Sequence, residues 1–299
     1  MIEQLTIIGV GLIGGSFAKA LKKNKLVHHV IGCGRQLDNL KTALKLGIID
    51  EYSTDIKHAV KNADVIFIAT PVSTFAGIFS QLKGHTKSSA IITDGGSTKL
   101  NVMHMAQQVF GQVPSNFVPG HPIAGTENSG ASAAFAELYE DHKVILTPLL
   151  SSDKNTIATD PRALEIISNL WAAIGAEVVC MDAEHHDLVL GATSHLPHVI
   201  AFSLVNTLAT LNERKEIFDY AAGGFKDFTR IASSDPKMWQ DICLANKDIL
   251  LSHLNHFKKD LGDIISALNA DDSEYMYQFF SRAKTTRDAL IVQTSRDKK

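Results

Sequence analysis

The chain is 299 residues long, 45% hydrophobic and 20% charged, an ordinary globular composition whose length suggests two domains. Its net charge of −3 and pI near 6.5 argue against nucleic acid as the main partner. No apolar run is read as reaching the roughly 18 residues of a bilayer span, and the N-terminus enters an apolar run at once, so neither a membrane segment nor a signal peptide is expected.

Leu5–Ile8 is a short apolar run expected as a buried parallel strand. Gly9, Gly11 and Gly14 follow with the spacing G-x-G-x-x-G, and Phe17, Ala18 and Leu21 continue at helical spacing. Gly9 permits the tight turn, Gly11 admits a pyrophosphate, and Gly14 lets helix and strand pack closely. The helix N-terminus, with Leu12 and Ile13 beside it, offers N–H groups and a positive dipole end to phosphates. This context points to dinucleotide binding.

His29–Cys33 reads as the second strand. A carboxylate at its end would accept from a ribose 2′-hydroxyl, whereas an arginine suits a 2′-phosphate. The chain has Gly34-Arg35-Gln36 and no acid before Asp38, which reads as the N-cap of a helix over 39–46. Arg35 therefore leans toward NADP, with a solvated arginine beside an NAD pocket as the alternative.

A strand over Ala63–Ala69 leads to Thr70-Pro71, both candidates for cofactor contact, and a helix over 73–82. Strand Ser89–Thr93 turns through Asp94-Gly-Gly-Ser97 into a helix over 98–110, with Ser97 a natural cap. A short strand at Phe117–Pro119 and strands at Lys143–Thr147 and Ala176–Met181, with a helix over 161–174, complete the alternation. It predicts an α/β Rossmann-type, doubly wound parallel sheet over 1–182, with its ligand beyond the carboxyl ends of the strands. From 183 to 299 helical spacing takes over, at 185–211, 236–268 and 273–294. An all-α domain of such long helices is expected to bury one face in a homodimer. Three scattered cysteines (Cys33, Cys180, Cys243), in no C-x-x-C pair, are expected as buried, reduced thiols of a cytoplasmic protein.

Three polar stretches place ionisable groups near the ligand edge. In Gly120-His121-Pro122, continuing to Gly125-Thr126-Glu127, a histidine on a rigid turn could take a proton from a hydroxyl whose carbon gives up hydride. In Thr193-Ser-His195-Leu-Pro-His198 the histidines share a helix face, but no third ligand stands at sensible spacing, so no metal is expected. His195 reads as a polar pocket residue and His198 as structural. In Gly223-Gly-Phe-Lys-Asp227-Phe-Thr-Arg230, Asp227 and Arg230 could form a solvated ion pair or present a guanidinium to a carboxylate. Lys226 and the indole N–H of Trp239 are secondary candidates, and the pairs His28-His29 and His185-His186 read as surface residues.

Gly120-His-Pro-Ile-Ala-Gly-Thr-Glu127, Ser194-His-Leu-Pro-His198, Gly223-Gly-Phe-Lys-Asp-Phe-Thr-Arg230 and the opening Gly-Val-Gly-Leu-Ile-Gly-Gly-Ser16, together and in order, resemble the prephenate dehydrogenase family, which includes arogenate and cyclohexadienyl dehydrogenases. The resemblance covers almost the whole chain. It implies oxidative decarboxylation of prephenate or arogenate, giving 4-hydroxyphenylpyruvate or tyrosine, with hydride passing to NAD(P)+. By the same resemblance His121 accepts the hydroxyl proton, Ser97 orients that hydroxyl, and Arg230 binds a substrate carboxylate. Asp227 and His195 shape the pocket, and Glu127 pairs with Arg230 as a gate; Trp239 stays a substrate-binding candidate on its own residue chemistry. No chorismate mutase segment or regulatory domain is read at either end, so any tyrosine inhibition is expected at the active site. Two alternatives keep the layout: a β-hydroxy-acid dehydrogenase, which would need a catalytic lysine such as Lys226 or Lys247, and a non-catalytic nicotinamide sensor.

Overall fold

The computed structural model describes residues 1–126, 128–150 and 158–296. Strand and helix alternate through β1 (Ile2–Ile8), α1 (Leu12–Lys23), β2 (Val27–Cys33), α2 (Leu37–Lys45), β3 (Glu51–Ser53), α3 (Ile56–Val60), β4 (Val65–Ile68), α4 (Phe75–Leu82), β5 (Ile91–Asp94) and α5 (Leu100–Phe110). Then come β6 (Phe117–Val118), β7 (Gly120–Pro122), β8 (Lys143–Leu146), α6 (Pro161–Ala173) and β9 (Glu177–Cys180). Strands β1 to β6 pair in parallel in the order β3-β2-β1-β4-β5-β6, so the connection reverses direction between β1 and β4. Ligands of doubly wound sheets lie at that reversal, outside the carboxyl ends of the strands. A second sheet, β7-β8-β9, pairs β7 antiparallel and β9 parallel to β8.

The six parallel strands are apolar because both faces are covered. On one face Phe17 packs 4.4 Å from Trp171 between ring centroids, beside Phe67 and Tyr139; on the other, Phe79 stands between Phe75 and Phe117. Tyr139 also donates from its hydroxyl to the Ile13 carbonyl at 2.6 Å, and Asn39 donates to the Val10 carbonyl at 2.7 Å. Both bonds brace the glycine turn from outside.

The helical half comprises α7 (Ala183–Leu190), α8 (Leu196–Ala209), α9 (Arg214–Asp219), α10 (Gly223–Thr229), α11 (Pro236–Ala245), α12 (Lys247–Asn269) and α13 (Ser273–Arg296). The described chain forms two compact units, Met1–Ile249 and the segment from Leu250 onward. An α/β Rossmann-type sheet followed by helices is the architecture that the patterning predicts.

Five local expectations are corrected. Asp38 lies within the first turn of α2, whose N-cap is Gln36. Ser97 does not cap α5, which starts at Leu100. The single helix expected over 185–211 is broken by a π-helical turn at Gly191–His195. Pro197 accounts for it, since proline has no N–H to give the preceding turn and crowds the carbonyl four residues back. Cys180, at the end of β9, is exposed and Cys243 half-buried, so only Cys33 is buried as expected. Finally, the run Ala183–Ala209 is long and apolar enough to cross a bilayer by length and composition, with a mean hydropathy of 1.6. Core helices of water-soluble proteins meet the same measure, and here His186, Asp187 and His195 are buried on this run with polar partners.

Candidate active site

A cleft of about 350 Å³ opens at the reversal point of the sheet. The turn after β1 supplies Gly11, Leu12 and Ile13, and the end of β4 supplies Thr70 and Pro71. The loop after β5 supplies Ser97, and β7 supplies His121. Met238 and Ile242 of α11 close the opposite wall, and that helix is tied to the loop after β4 by the Ser73 hydroxyl, which donates to Asp241 at 2.5 Å.

The glycines of the turn divide by what a side chain would meet. Gly9 has φ +98°, and a Cβ there would lie 2.4 Å from the Ala69 carbonyl oxygen; at Gly14 it would lie 2.3 Å from the Gly9 carbonyl oxygen. These two glycines are required by the fold itself. Gly11 meets no protein atom within 4 Å, borders the cleft, and caps α1 without a side-chain hydrogen bond. It is a cradle that protein packing does not explain, at a helix start whose N–H groups suit phosphate.

His121 stands in β7, opposite Ile145 of β8, and not on a turn. A three-residue strand is too short for period-two patterning to reveal. Its backbone is fixed by a buried ion pair: Lys99 bonds Asp94 and donates to the Gly120 carbonyl at 2.5 Å, while Asp94 accepts from the Gly120 N–H at 3.1 Å and the Gly96 N–H at 2.8 Å. Burial pushes the Asp94 carboxyl up and the Lys99 amine down, each opposed by the other's charge. Burial, then the neighbouring His186, Lys99 and His195, hold His121 well below the usual histidine range. The imidazole is therefore neutral at pH 7, the form in which it can accept a proton.

His195 is fully buried at the end of the π-turn. Asn246 donates to its Nδ1 at 3.1 Å, so the proton of the neutral ring sits on Nε2. Burial lowers its pKa to about 4. Trp239 of α11 stacks on His198 at 3.7 Å, and its indole N–H is buried. The Trp239 donor thus lacks an acceptor among the described residues, a rare state in native proteins, whereas the backbone of Ser97 reaches His195 and partly offsets the effect of burial. Arg230 and Asp227 are exposed, do not border the cleft, and form no ion pair with each other among the described residues. The Arg230 charge does reach His198 and lowers its pKa, after the larger effect of burial. Arg35 is exposed just beyond β2 and outside the cleft lining, and Glu127 lies outside the described residues. Lys226 and Lys247 are both exposed and do not border the cleft.

Four polar residues around the site escaped the sequence reading. His186, read as a surface residue, is fully buried, as are Asp187, Asn246 and Lys99. Asp187 accepts the Lys99 and Leu100 N–H groups at 2.8 and 2.9 Å, taking the capping role expected of Ser97. The signal available was His-His-Asp at a helix start, which is indistinguishable locally from a solvated first turn.

Comparison with known proteins fits this geometry. Residues 17–180 match the family model for the prephenate dehydrogenase nucleotide-binding domain, and residues 182–282 match that for the prephenate dehydrogenase dimerization domain. The chain is 39% identical to a cyclohexadienyl dehydrogenase of Zymomonas mobilis over 295 residues, 97% of each chain. It is 39% identical to a prephenate dehydrogenase of Bacillus subtilis, covering 98% of this chain and 77% of that one. The crystal structure of prephenate dehydrogenase from Aquifex aeolicus, in complex with hydroxyphenyl propionate and NAD+, superimposes with a TM-score of 0.86 at 36% identity, over 97% of this chain and 99% of that one.

Proposed function

The chain belongs to the prephenate dehydrogenase family, and from that premise we propose how its cleft carries out the reaction. It is an NAD(P)-dependent dehydrogenase that converts prephenate to 4-hydroxyphenylpyruvate with loss of CO2. The turn from Gly9 to Gly14, with Leu12, Ile13, Thr70 and Pro71, would hold the dinucleotide, and the open cradle at Gly11 supports that fit. When bound, the nicotinamide supplies a hydride acceptor.

His121 takes the proton of the C4 hydroxyl as that carbon is oxidised, and can return it to the phenol oxygen after CO2 leaves. Its place on the cleft lining, with Ser97 and the glycine turn on the same cleft, is the single observation that carries this role, and burial keeps the ring in the neutral form that can accept a proton. Ser97, on the same cleft, orients the hydroxyl. A substrate with two carboxylates needs a cation and fixed donors: Arg230 supplies the guanidinium, and the buried N–H groups of Trp239 and His195 supply donors. Asp227 steers Arg230, and Glu127 pairs with it as a gate.

The finer assignments extend this reading. Arg35, beyond the end of β2 with no acid beside it, favours a 2′-phosphate and hence NADP+ over NAD+. The boundary at 182/183 separates the dinucleotide half from the substrate half. The helical half forms a homodimer: Leu261, Ile265 and Leu268 follow one another at helical spacing on α12 and are 43–59% exposed. Sedimentation should give twice the chain mass. Three thiols with no disulfide between them suit a cytoplasmic setting.

A four-way assay of prephenate or arogenate with NAD+ or NADP+ tests the proposal. Fast turnover with NADP+, reversed toward NAD+ in Arg35→Asp, is the expected result. Turnover with NAD+ alone would make Arg35 a bystander, and silence in all four combinations would overturn the reaction.

A further inference from the structure

Behind His121 runs a line of polar contacts that none of the roles above uses. Asp187 Oδ1 accepts from His186 Nδ1 at 2.8 Å, and His186 Nε2 lies 2.9 Å from His121 Nδ1. The rings of His121 and His186 meet edge to face, 5.1 Å between centroids at 60°. His186 is 0% and Asp187 2% exposed, so water does not compete for these atoms. Asp187 cannot swing away, because both its oxygens are engaged by the backbone N–H groups of Lys99 and Leu100.

Proton counting along the line leaves one arrangement. An ionised carboxylate only accepts, so His186 carries its hydrogen on Nδ1. A neutral His186 then presents a lone pair at Nε2, and the partner that must donate to it is His121 Nδ1. A neutral imidazole has one N–H, so the lone pair of His121 is on Nε2. That leaves Nε2 as the nitrogen able to act as base in a residue that borders the cleft. With the hydrogen on the other nitrogen, the same ring would have no basic atom left for substrate.

We propose that His186, held by Asp187, is a positioning residue that fixes His121 in the tautomer with an unprotonated Nε2 and shares the positive charge when His121 takes the substrate proton. This rests on the reading of His121 as the base. The step balances: the hydroxyl proton moves to His121 Nε2, and the Nδ1 proton strengthens its bond to, or passes to, His186 Nε2. The other charged groups acting on His121 are Lys99, from the loop before α5, and His195, from the π-turn; Asp94 and Asp187 lie behind Lys99 and His186.

The test compares His186→Phe, His186→Gln and His121→Asn in the full chain, with prephenate and whichever nicotinamide dinucleotide the wild type uses. In His186→Phe, kcat should fall roughly 10- to 100-fold while both KM values stay within about twofold. The acid limb of its pH–rate profile should move off the wild-type position, because the group that acts on the His121 charge through Nδ1 is gone. In His186→Gln, whose amide oxygen can accept from Nδ1, kcat should return to within about fivefold of wild type and the limb should be restored. The proposal is overturned by a wild-type kcat and profile in His186→Phe, by a rise in KM alone, or by a glutamine variant as impaired as the phenylalanine one. If His121→Asn keeps wild-type turnover, the base assignment itself fails; if it is inactive while His186→Phe is not, only the positioning role fails. Nitrogen-15 imidazole spectra of the wild type, assigned by loss of a signal set in His121→Asn, need no folded His186 variant. They should show His121 protonated at Nδ1, and protonation at Nε2 would overturn the proposal.

Discussion

Lys99 and Asp94 form an ion pair with both side chains at 0% exposure, and the Gly120 carbonyl completes the Lys99 coordination immediately before His121. Substituting one member leaves a buried charge without its counterion, which costs about 3–5 kcal/mol. Lys99→Met should therefore lower unfolding stability by that amount in a denaturant titration. The double variant Asp94→Asn with Lys99→Met should recover a large part of the loss, since the pair is coupled. A single-variant loss below about 1 kcal/mol would show that the pair is not holding the strand.

Gly11 and Gly14 make opposite predictions. A Cβ at Gly14 would meet the Gly9 carbonyl oxygen at 2.3 Å and the Ile7 side chain at 2.7 Å, so Gly14→Ala should cost about 1–3 kcal/mol of stability, as overpacking does. Gly11→Ala has open space around it and should melt like the wild type. Its methyl group would occupy the ground a pyrophosphate needs, so dinucleotide affinity should drop at least tenfold in calorimetry. Equal affinity in the two chains would move the phosphate site elsewhere.

Much of this site could be read from the sequence because its signals are local. A strand, a G-x-G-x-x-G turn and an amphipathic helix announce themselves within twenty residues, and His121, Ser97 and Thr70 stand next to glycines or prolines at strand ends. The residues missed act at a distance. His186 and Asp187 are buried because α7 meets the start of α5 nearly ninety positions earlier in the chain, and Asn246 reaches Asp187 and His195 from a third element. Nothing in the five residues around His186 marks it as buried. Strands β3 and β7 were missed for another reason: three residues carry too few alternations to signal a strand.

Acid should destabilise the protein through its buried histidines. Burial lowers His195 from about 6.5 unfolded to about 4 folded, and displaces His121, His186 and His198 in the same direction. Between those values the unfolded chain binds more protons, so stability is full above about pH 6.5 and falls as pH drops toward 4. His195 alone contributes about 3 kcal/mol to the loss. Melting temperature should be flat from pH 8 to 7 and fall steadily below 6.5, and His195→Asn should flatten that fall. An unchanged melting temperature at pH 5 would contradict the buried, neutral assignment.

Arg230→Ala should raise the KM for prephenate by roughly thirtyfold, the equivalent of about 2 kcal/mol for one charged hydrogen-bond partner, with kcat much less affected. Lysine in its place should recover part of the affinity, because it restores charge but not the planar fork. If KM is untouched in Arg230→Ala, the carboxylate is bound elsewhere.

The most direct measurement is a comparison of wild type and His121→Asn under saturating prephenate and dinucleotide, following reduced nicotinamide, together with equilibrium binding of a non-reactive hydroxyphenyl analogue to each. Asparagine keeps a polar side chain of similar reach but has no basic nitrogen. Turnover should fall about 10²–10⁴-fold while analogue affinity stays within a few-fold of wild type. Turnover within about threefold of wild type would contradict the account, since proton removal from the hydroxyl would then not depend on His121.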